Sequence, residues 1–209
     1  EFLLGLGLAL VLGRLVRARR IVTSLLIVPM MMTPVVVGLV WRVMYYPELG
    51  VINQILEALG MSPVLWFGEP WNSIPALIVV EVWQYTPFMT LIFLAGLSTV
   101  PRELYDASAV DGASLWATFR HVTMPCLMPV IVVAVIFTLM RMFKAFDVIA
   151  ILTQGGPGYT TQLISYFIYK VAWHFSNIGL AAAMSWVLAI IITVIGILYV
   201  RYLRHYMEI

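Results

Sequence analysis

The sequence predicts an all-α, polytopic membrane protein. Hydrophobic residues make up 63% of its 209 positions and charged residues only 11%. The mean hydropathy is +1.00. Soluble domains carry about 25% charged residues, so this chain has too few to cover a soluble surface. Several apolar runs approach the ~20 residues that a helix needs to cross a bilayer core. The polar intervals between runs differ in charge, which gives the chain an orientation. Eight of the twelve Lys/Arg fall in three intervals: Arg14, Arg17, Arg19 and Arg20, then Arg102 and Arg120, then Arg201 and Arg204. These mark one side as cytoplasmic by the positive-inside rule. The net charge of +2 gives no reason to expect a nucleic-acid partner.

The first span, Phe2 to Val16, ends in the first basic cluster. Gly5, Gly7, Ala9 and Gly13 would let a neighbouring helix approach closely, although glycine is common in membrane helices in any case. The chain opens at Glu1-Phe2, within an apolar run and without an initiator Met, which implies a leading helix before it. The second span, Ile21 to Tyr46, contains Pro29 and Pro34 and should be kinked. Trp41, Tyr45 and Tyr46 form an aromatic belt at its far end, and Arg42 is close enough to that end to snorkel.

Residues 47–71 form the first outer connection, with three glutamates and no Lys or Arg. Within it, Val51 to Leu59 has a helical apolar face suited to the membrane surface. The third span, Asn72 to Val100, puts Glu81, Trp83, Gln84 and Tyr85 at membrane depth beside Pro87. A carboxylate there should face a cavity or a partner. Pro125 to Thr153 is the fourth span, with Arg141, Lys144 and Asp147 inside it. Residues 154–175 form the second outer connection, led by the turn-forming Gly155-Gly156-Pro157-Gly158. Ser176 to Tyr202 is the fifth span. Cys126, the single cysteine, reads as packing. His121, His174 and His205 lack metal-ligand spacing. No nucleophile stands beside a base.

Residues 101–124, between the third and fourth spans, carry Arg102, Glu103, Asp106, Asp111 and Arg120. Pro101 suits the first turn of a helix. Glu103 and Asp106 then oppose the positive end of its dipole. Leu104, Ala107 and Val110 make an apolar stripe. Gly112 stops the helix. Ser114 can cap a second helix carrying Leu115, Trp116, Phe119 and Val122. The pattern describes a protruding knob; a connector lying on the headgroups fits the same residues.

Pro101-x-Glu103-Leu104-Tyr105-Asp106-Ala107-Ser108-x-x-Asp111-Gly112-Ala113, followed by Phe119 and Met124-Pro125, resembles the EAA loop of binding-protein-dependent ABC importer permeases. The usual Glu-Ala-Ala is Asp106-Ala107-Ser108 here. The resemblance covers essentially the whole chain. Leu152-Thr153-x-Gly155-Gly156-Pro157 with Thr161, Leu163 and Tyr166 is similar to carbohydrate-uptake permeases. So are Gly179-x-Ala181-Ala182-Ala183, Pro29, Trp41-Arg42, Gly50-x-x-Asn53 and Trp83-x-x-x-Pro87-Phe88. Within that group the chain looks like the maltose-type F subunit and its glycerol-phosphate and trehalose relatives, without the large periplasmic insertion of the maltose protein.

The resemblance implies the type I importer permease fold in a bacterial or archaeal inner membrane, with five spans here of six or more. It implies a second homologous permease, a dimer of ATP-binding subunits and an extracytoplasmic sugar-binding protein as partners. Glu103, Leu104, Asp106, Ala107, Ser108, Asp111, Gly112 and Ala113 would receive the force of the ATPase. This chain has no GxxxxGK[ST] phosphate loop, so ATP and Mg belong to the partner.

For the sugar pathway the resemblance points to Thr138, Arg141, Met142 and Ala145, with Lys144 adjacent. In the third span it points to Tyr85 and Phe88, whose rings suit the flat faces of a sugar. Glu81, Gln84 and Asp147 complete the candidates. Arg141 and Asp147 fit an internal ion network equally well, and Tyr85 and Phe88 a packing cluster. Arg141 and Lys144 would also suit glycerol phosphate or another phosphorylated solute. An ion-coupled secondary transporter could use such intramembrane charges too, but it has no need of the knob.

Overall fold

A computed structural model of the chain describes residues 1–14 and 19–207, with the backbone alone at 14, 19, 20 and 202–207. Of the expected basic edge, Arg17 lies outside the described residues. The described residues form helices and turns, with no strand. Three segments are long and apolar enough to cross a membrane: Pro70–Ser98, Leu115–Leu152 and Ile178–Arg201. At about 1.5 Å per residue, each exceeds the ~30 Å hydrocarbon core.

Helix α1 covers Phe2–Arg14; Leu15 and Val16 of the expected first span lie outside the described residues. The second span is broken, not kinked: α2 covers Arg19–Met31 and α3 covers Pro34–Met44. Thr33 between them is extended, and Pro34 stands in the first turn of α3, where its missing N–H costs nothing. Helix α4 (Val51–Ala58) is the short amphipathic element read from the pattern. The third span is α5, Pro70–Ser98. The fourth is also divided: α8 ends at Phe143 and α9 covers Asp147–Leu152. Helix α10 (Ile164–Tyr169) lies in the second outer connection, and α11 (Ile178–Met207) is the last span.

Two compact units emerge. The first comprises residues Glu1–Met30, Tyr85–Leu139 and Tyr199–Ile209. Its core joins Leu6, Ala9 and Leu12 of α1 to Met89, Phe93 and Leu94 of α5 and to Leu127 and Ala134 of α8. Apolar burial drives little association inside lipid, so close approach of small residues matters more. Gly5 provides it: a Cβ there would sit 2.6 Å from Met89 Cβ, whereas one at Gly7 or Gly13 would meet open space. Only part of the small-residue pattern is therefore a packing face. Gly5→Val is expected to lower the stability of the detergent-purified protein by about 1–3 kcal/mol, the usual cost of overpacking. Gly7→Val should leave the melting temperature unchanged in the same assay.

The second unit comprises Met31–Gln84 and Met140–Leu198. Val37, Trp41 and Tyr45 of α3 and its end pack on Ala76 and Val80 of α5 and on Val148 and Leu152 of α9. Gly38 lies against Ile151, with 3.0 Å between a notional Cβ and the Ile151 Cβ. Asn53 is buried and organises the first outer connection. Its Nδ2 donates to the carbonyls of Pro47 (2.8 Å) and Val64 (3.0 Å). Its Oδ1 accepts from Val64 N (3.2 Å) and Trp66 Nε1 (2.9 Å). In the second connection, Thr161 Oγ1 donates to the Gly156 carbonyl (2.7 Å) and lies 2.7 Å from Thr153 Oγ1. Gly155 and Gly158 take left-handed conformations, with φ of +83° and +60°, as the turn-forming run requires.

Candidate functional site: the knob and the membrane-embedded polar residues

The knob lies wholly within the first unit. Its first arm, α6, covers Arg102–Val110. The helix begins one residue after Pro101, so Glu103 is in the first turn and Asp106 falls in the second. The stop is a Schellman motif: Ala113 N donates to the Ser108 carbonyl (3.0 Å) and Gly112 N to the Ala109 carbonyl (3.1 Å). Gly112 adopts φ +66°, the left-handed conformation this motif needs. Ser114 then caps the next helix, its Oγ accepting from Ala117 N at 3.2 Å.

The second arm differs from the expected separate short helix. Helix α7 spans only Leu115–Thr118. A π-helical turn, Phe119–Thr123, carries it without interruption into α8, Met124–Phe143. The knob is thus one free helix folded back on the end of a span.

Its inner and outer faces are distinct. Leu104, Val110, Leu115 and Trp116 are exposed, Val110 at 87% and Leu115 at 76%. Glu103, Asp106, Ala107, Asp111, Gly112 and Ala113 are exposed as well. The apolar stripe of α6 therefore points away from the protein's own core. Tyr105 and Ser108, on the opposite face, are half-buried. Tyr105 Oη lies 3.2 Å from Thr123 Oγ1, and Thr118 Oγ1 donates to Ser108 Oγ at 3.2 Å. Ser108 Oγ in turn donates to the Tyr105 carbonyl at 2.8 Å. Sequence reasoning treated Ser108 only as a small residue replacing another and passed over Tyr105, Thr118 and Thr123. The i, i+3 spacing of Tyr105 and Ser108, opposite the apolar stripe, was the available signal.

The membrane-embedded candidates divide between the units. In the second unit Arg141 Nη1 donates to Glu81 Oε2 at 2.5 Å, with the two side chains 22% and 27% exposed. The pair ties α5 to the end of α8. Asp147 opens α9 as a first-turn acid. Gln84 is fully buried, and its Nε2 donates to the Met32 carbonyl (3.3 Å), one of the groups freed by the α2–α3 break. Gln84 is therefore a structural amide on that side.

Of the expected face, Thr138 and Arg141 lie on α8 and Ala145 does not. The helix ends at Phe143, and Ala145 lies in the three-residue break that follows. Its carbonyl accepts from Ser165 Oγ, and Phe146 beside it packs on Tyr166 and Tyr169. Met142 and Lys144 are exposed. In the first unit, Thr138 Oγ1 returns a 2.9 Å bond to the Ala134 carbonyl. Phe88 meets Phe137 edge-on at 5.9 Å, which fits the packing alternative. Tyr85 is half-buried.

Long apolar helices, broken spans and a charged knob between spans define a multi-pass membrane protein. The family described as "Binding-protein-dependent transport system inner membrane component" matches residues 2–206. The chain belongs to this family, and it is accordingly an inner-membrane component of such a system and not its ATPase. It is 35% identical over 201 residues to the trehalose/maltose transport system permease protein MalF of Thermococcus litoralis, covering 96% of this chain and 68% of that protein. It is 33% identical to the sulfoquinovosyl glycerol transport system permease protein SmoG of Agrobacterium fabrum, covering 96% of this chain and 65% of that protein.

Among solved structures it is similar to a bacterial ABC transporter involved in the import of the acidic polysaccharide alginate. The TM-score is 0.88 at 25% identity, covering 98% of this chain and 72% of that one. A second match is the bacterial alginate ABC transporter in complex with alginate pentasaccharide-bound periplasmic protein. There the TM-score is 0.86 at 25% identity, covering 95% of this chain and 70% of that one. The importer permease fold expected from the resemblance is the fold observed.

Proposed function

We propose that the chain is the membrane-spanning permease subunit of an ATP-driven sugar importer. It forms half of the solute pathway beside a second, homologous permease. The knob at 101–124 faces the cytoplasm and docks on an ATP-binding subunit, which holds ATP and Mg. The first and second outer connections lie on the opposite side, where a sugar-binding protein delivers the solute. The observation that carries this reading is the knob's outer face. Leu104, Val110, Leu115 and Trp116 are exposed beside Glu103, Asp106 and Asp111, on a helix held by a defined stop. A connector resting on headgroups would not need that stop.

Sugar is favoured as the solute by the trehalose/maltose and sulfoquinovosyl glycerol relatives and by the alginate importer. The Glu81–Arg141 pair supports the same choice over a phosphorylated solute, because it neutralises one of the two cations that an anion would seek.

Transport by the assembled importer in proteoliposomes tests the reading. Asp106→Lys and Gly112→Pro are expected to abolish uptake while the external protein still binds its sugar. The charge reversal opposes docking, and proline cannot adopt φ +66°. Uptake that survives both substitutions would remove the knob from the coupling path. Uptake driven by an ion gradient through this chain alone would replace the importer with a secondary transporter.

A further inference from the structure

Resting on the coupling role just proposed, we propose that Ser108, Thr118, Tyr105 and Thr123 are positioning residues that brace the knob, so that force on α6 is delivered to α8 without slack. Helix α6 is joined in sequence to the rest of the knob only by Asp111–Ser114, a turn that by itself fixes one end. Two side-chain bridges fix the helix along its length. Thr118 Oγ1 donates to Ser108 Oγ, which donates onward to the Tyr105 carbonyl. Tyr105 Oη meets Thr123 Oγ1. The two bridges start from residues three apart on α6, the only half-buried positions of that helix. They end five residues apart, on α7 and on the π-helical turn.

Thr123 is buried, and Phe119 and Met124 on either side of it pack against the core of the first unit. The bridges therefore tie α6 to the anchored base of the span. A hydroxyl is essential at position 108, because an alanine there has no atom to receive the Thr118 proton. The serine that replaces the usual alanine of the EAA pattern is thus an addition with a mechanical role. An exposed hydrogen bond competes with water and contributes little; a half-buried relay of two is worth more because its groups are partly desolvated.

The test uses the complete importer, with its second permease, ATPase and binding protein, in proteoliposomes. Two quantities are read: solute moved per ATP hydrolysed, and hydrogen exchange of the amides of residues 102–113. Thr118→Val and Thr123→Val are each expected to accelerate exchange across α6 and to lower the transport-to-hydrolysis ratio several-fold. Thr118→Ser, which keeps the hydroxyl, should restore both. Ser108→Ala combined with Thr118→Val should be no worse than Ser108→Ala alone, since losing the Ser108 hydroxyl already removes the bond that Thr118 makes. Unchanged exchange in Thr118→Val overturns the brace. Faster exchange with an unchanged ratio overturns its role in coupling. Asp106→Lys, run in parallel, separates the two ideas: if it abolishes uptake while the brace variants behave as wild type, docking stands and the brace falls; if it leaves uptake intact, the coupling role itself falls.

Discussion

Asn53→Ala is expected to be the most damaging single substitution outside the membrane. The side chain is buried and satisfies four groups at once: the carbonyls of Pro47 and Val64, Val64 N and Trp66 Nε1. Truncation strands all four in a confined space. Each buried group left without a partner costs about 1–3 kcal/mol, and the costs overlap, so a loss of about 3–5 kcal/mol is expected. The damage should spread. Trp66 packs on Tyr45, which also meets Phe67 and donates to the Ala76 carbonyl at 3.2 Å. Loss of the amide therefore loosens the contact of the first outer connection with α3 and α5. Thermal unfolding in detergent, followed by tryptophan fluorescence, should show a large fall in the midpoint. Asn53→Asp keeps the acceptor but loses both donated bonds, and it should fall between wild type and alanine. A midpoint within a degree of wild type for Asn53→Ala would show that water replaces the amide.

The Glu81–Arg141 pair should respond asymmetrically. Arg141→Met removes the guanidinium and leaves the Glu81 carboxylate at membrane depth. Breaking a buried pair in this way costs about 3–5 kcal/mol; the partial exposure of both side chains places the expectation at the lower end. Glu81→Gln should cost less, because an amide can still accept from the guanidinium. The double variant Glu81→Gln/Arg141→Met should recover part of the loss. Stability and transport are to be measured on all three. If the pair is structural, stability and uptake fall together and recover together. If Arg141 instead contacts the solute, the double variant regains stability while uptake stays low, with an altered preference among sugars.

How far the sequence revealed this protein depended on where each signal lay. The knob's boundaries were legible because they are local: Gly112 must adopt a positive φ, and Ser114 stands one position before a helix. The first amphipathic helix and the third and fifth spans followed from periodicity and length. The break in the fourth span was hidden. Lys144-Ala145-Phe146 contains neither Gly nor Pro, and the break is held by Ser165 and by the rings of Tyr166 and Tyr169, about twenty residues on. Ala145 left the helical face of Thr138 and Arg141 for that reason. Pro29 and Pro34 announced an irregularity in the second span without showing that Gln84, 52 positions from Met32, would stabilise a full break. Arg141 was legible as an ion with a partner, and Glu81 is one.

The uninterrupted run from α7 through the π-helical turn into α8 carries a mechanical consequence. A loop at that junction would act as a universal joint and dissipate a push as random motion. A continuous helix acts as a crank. From Leu115 to Leu139, still within the first unit, it is about 37 Å long at about 1.5 Å per residue, so a tilt of about 5° at one end sweeps the other through about 3 Å. That stroke matches the scale on which a narrow solute passage opens or shuts. Under the proposed docking of the knob, small rotations at its end would therefore suffice, and coupling would need no flexible element there.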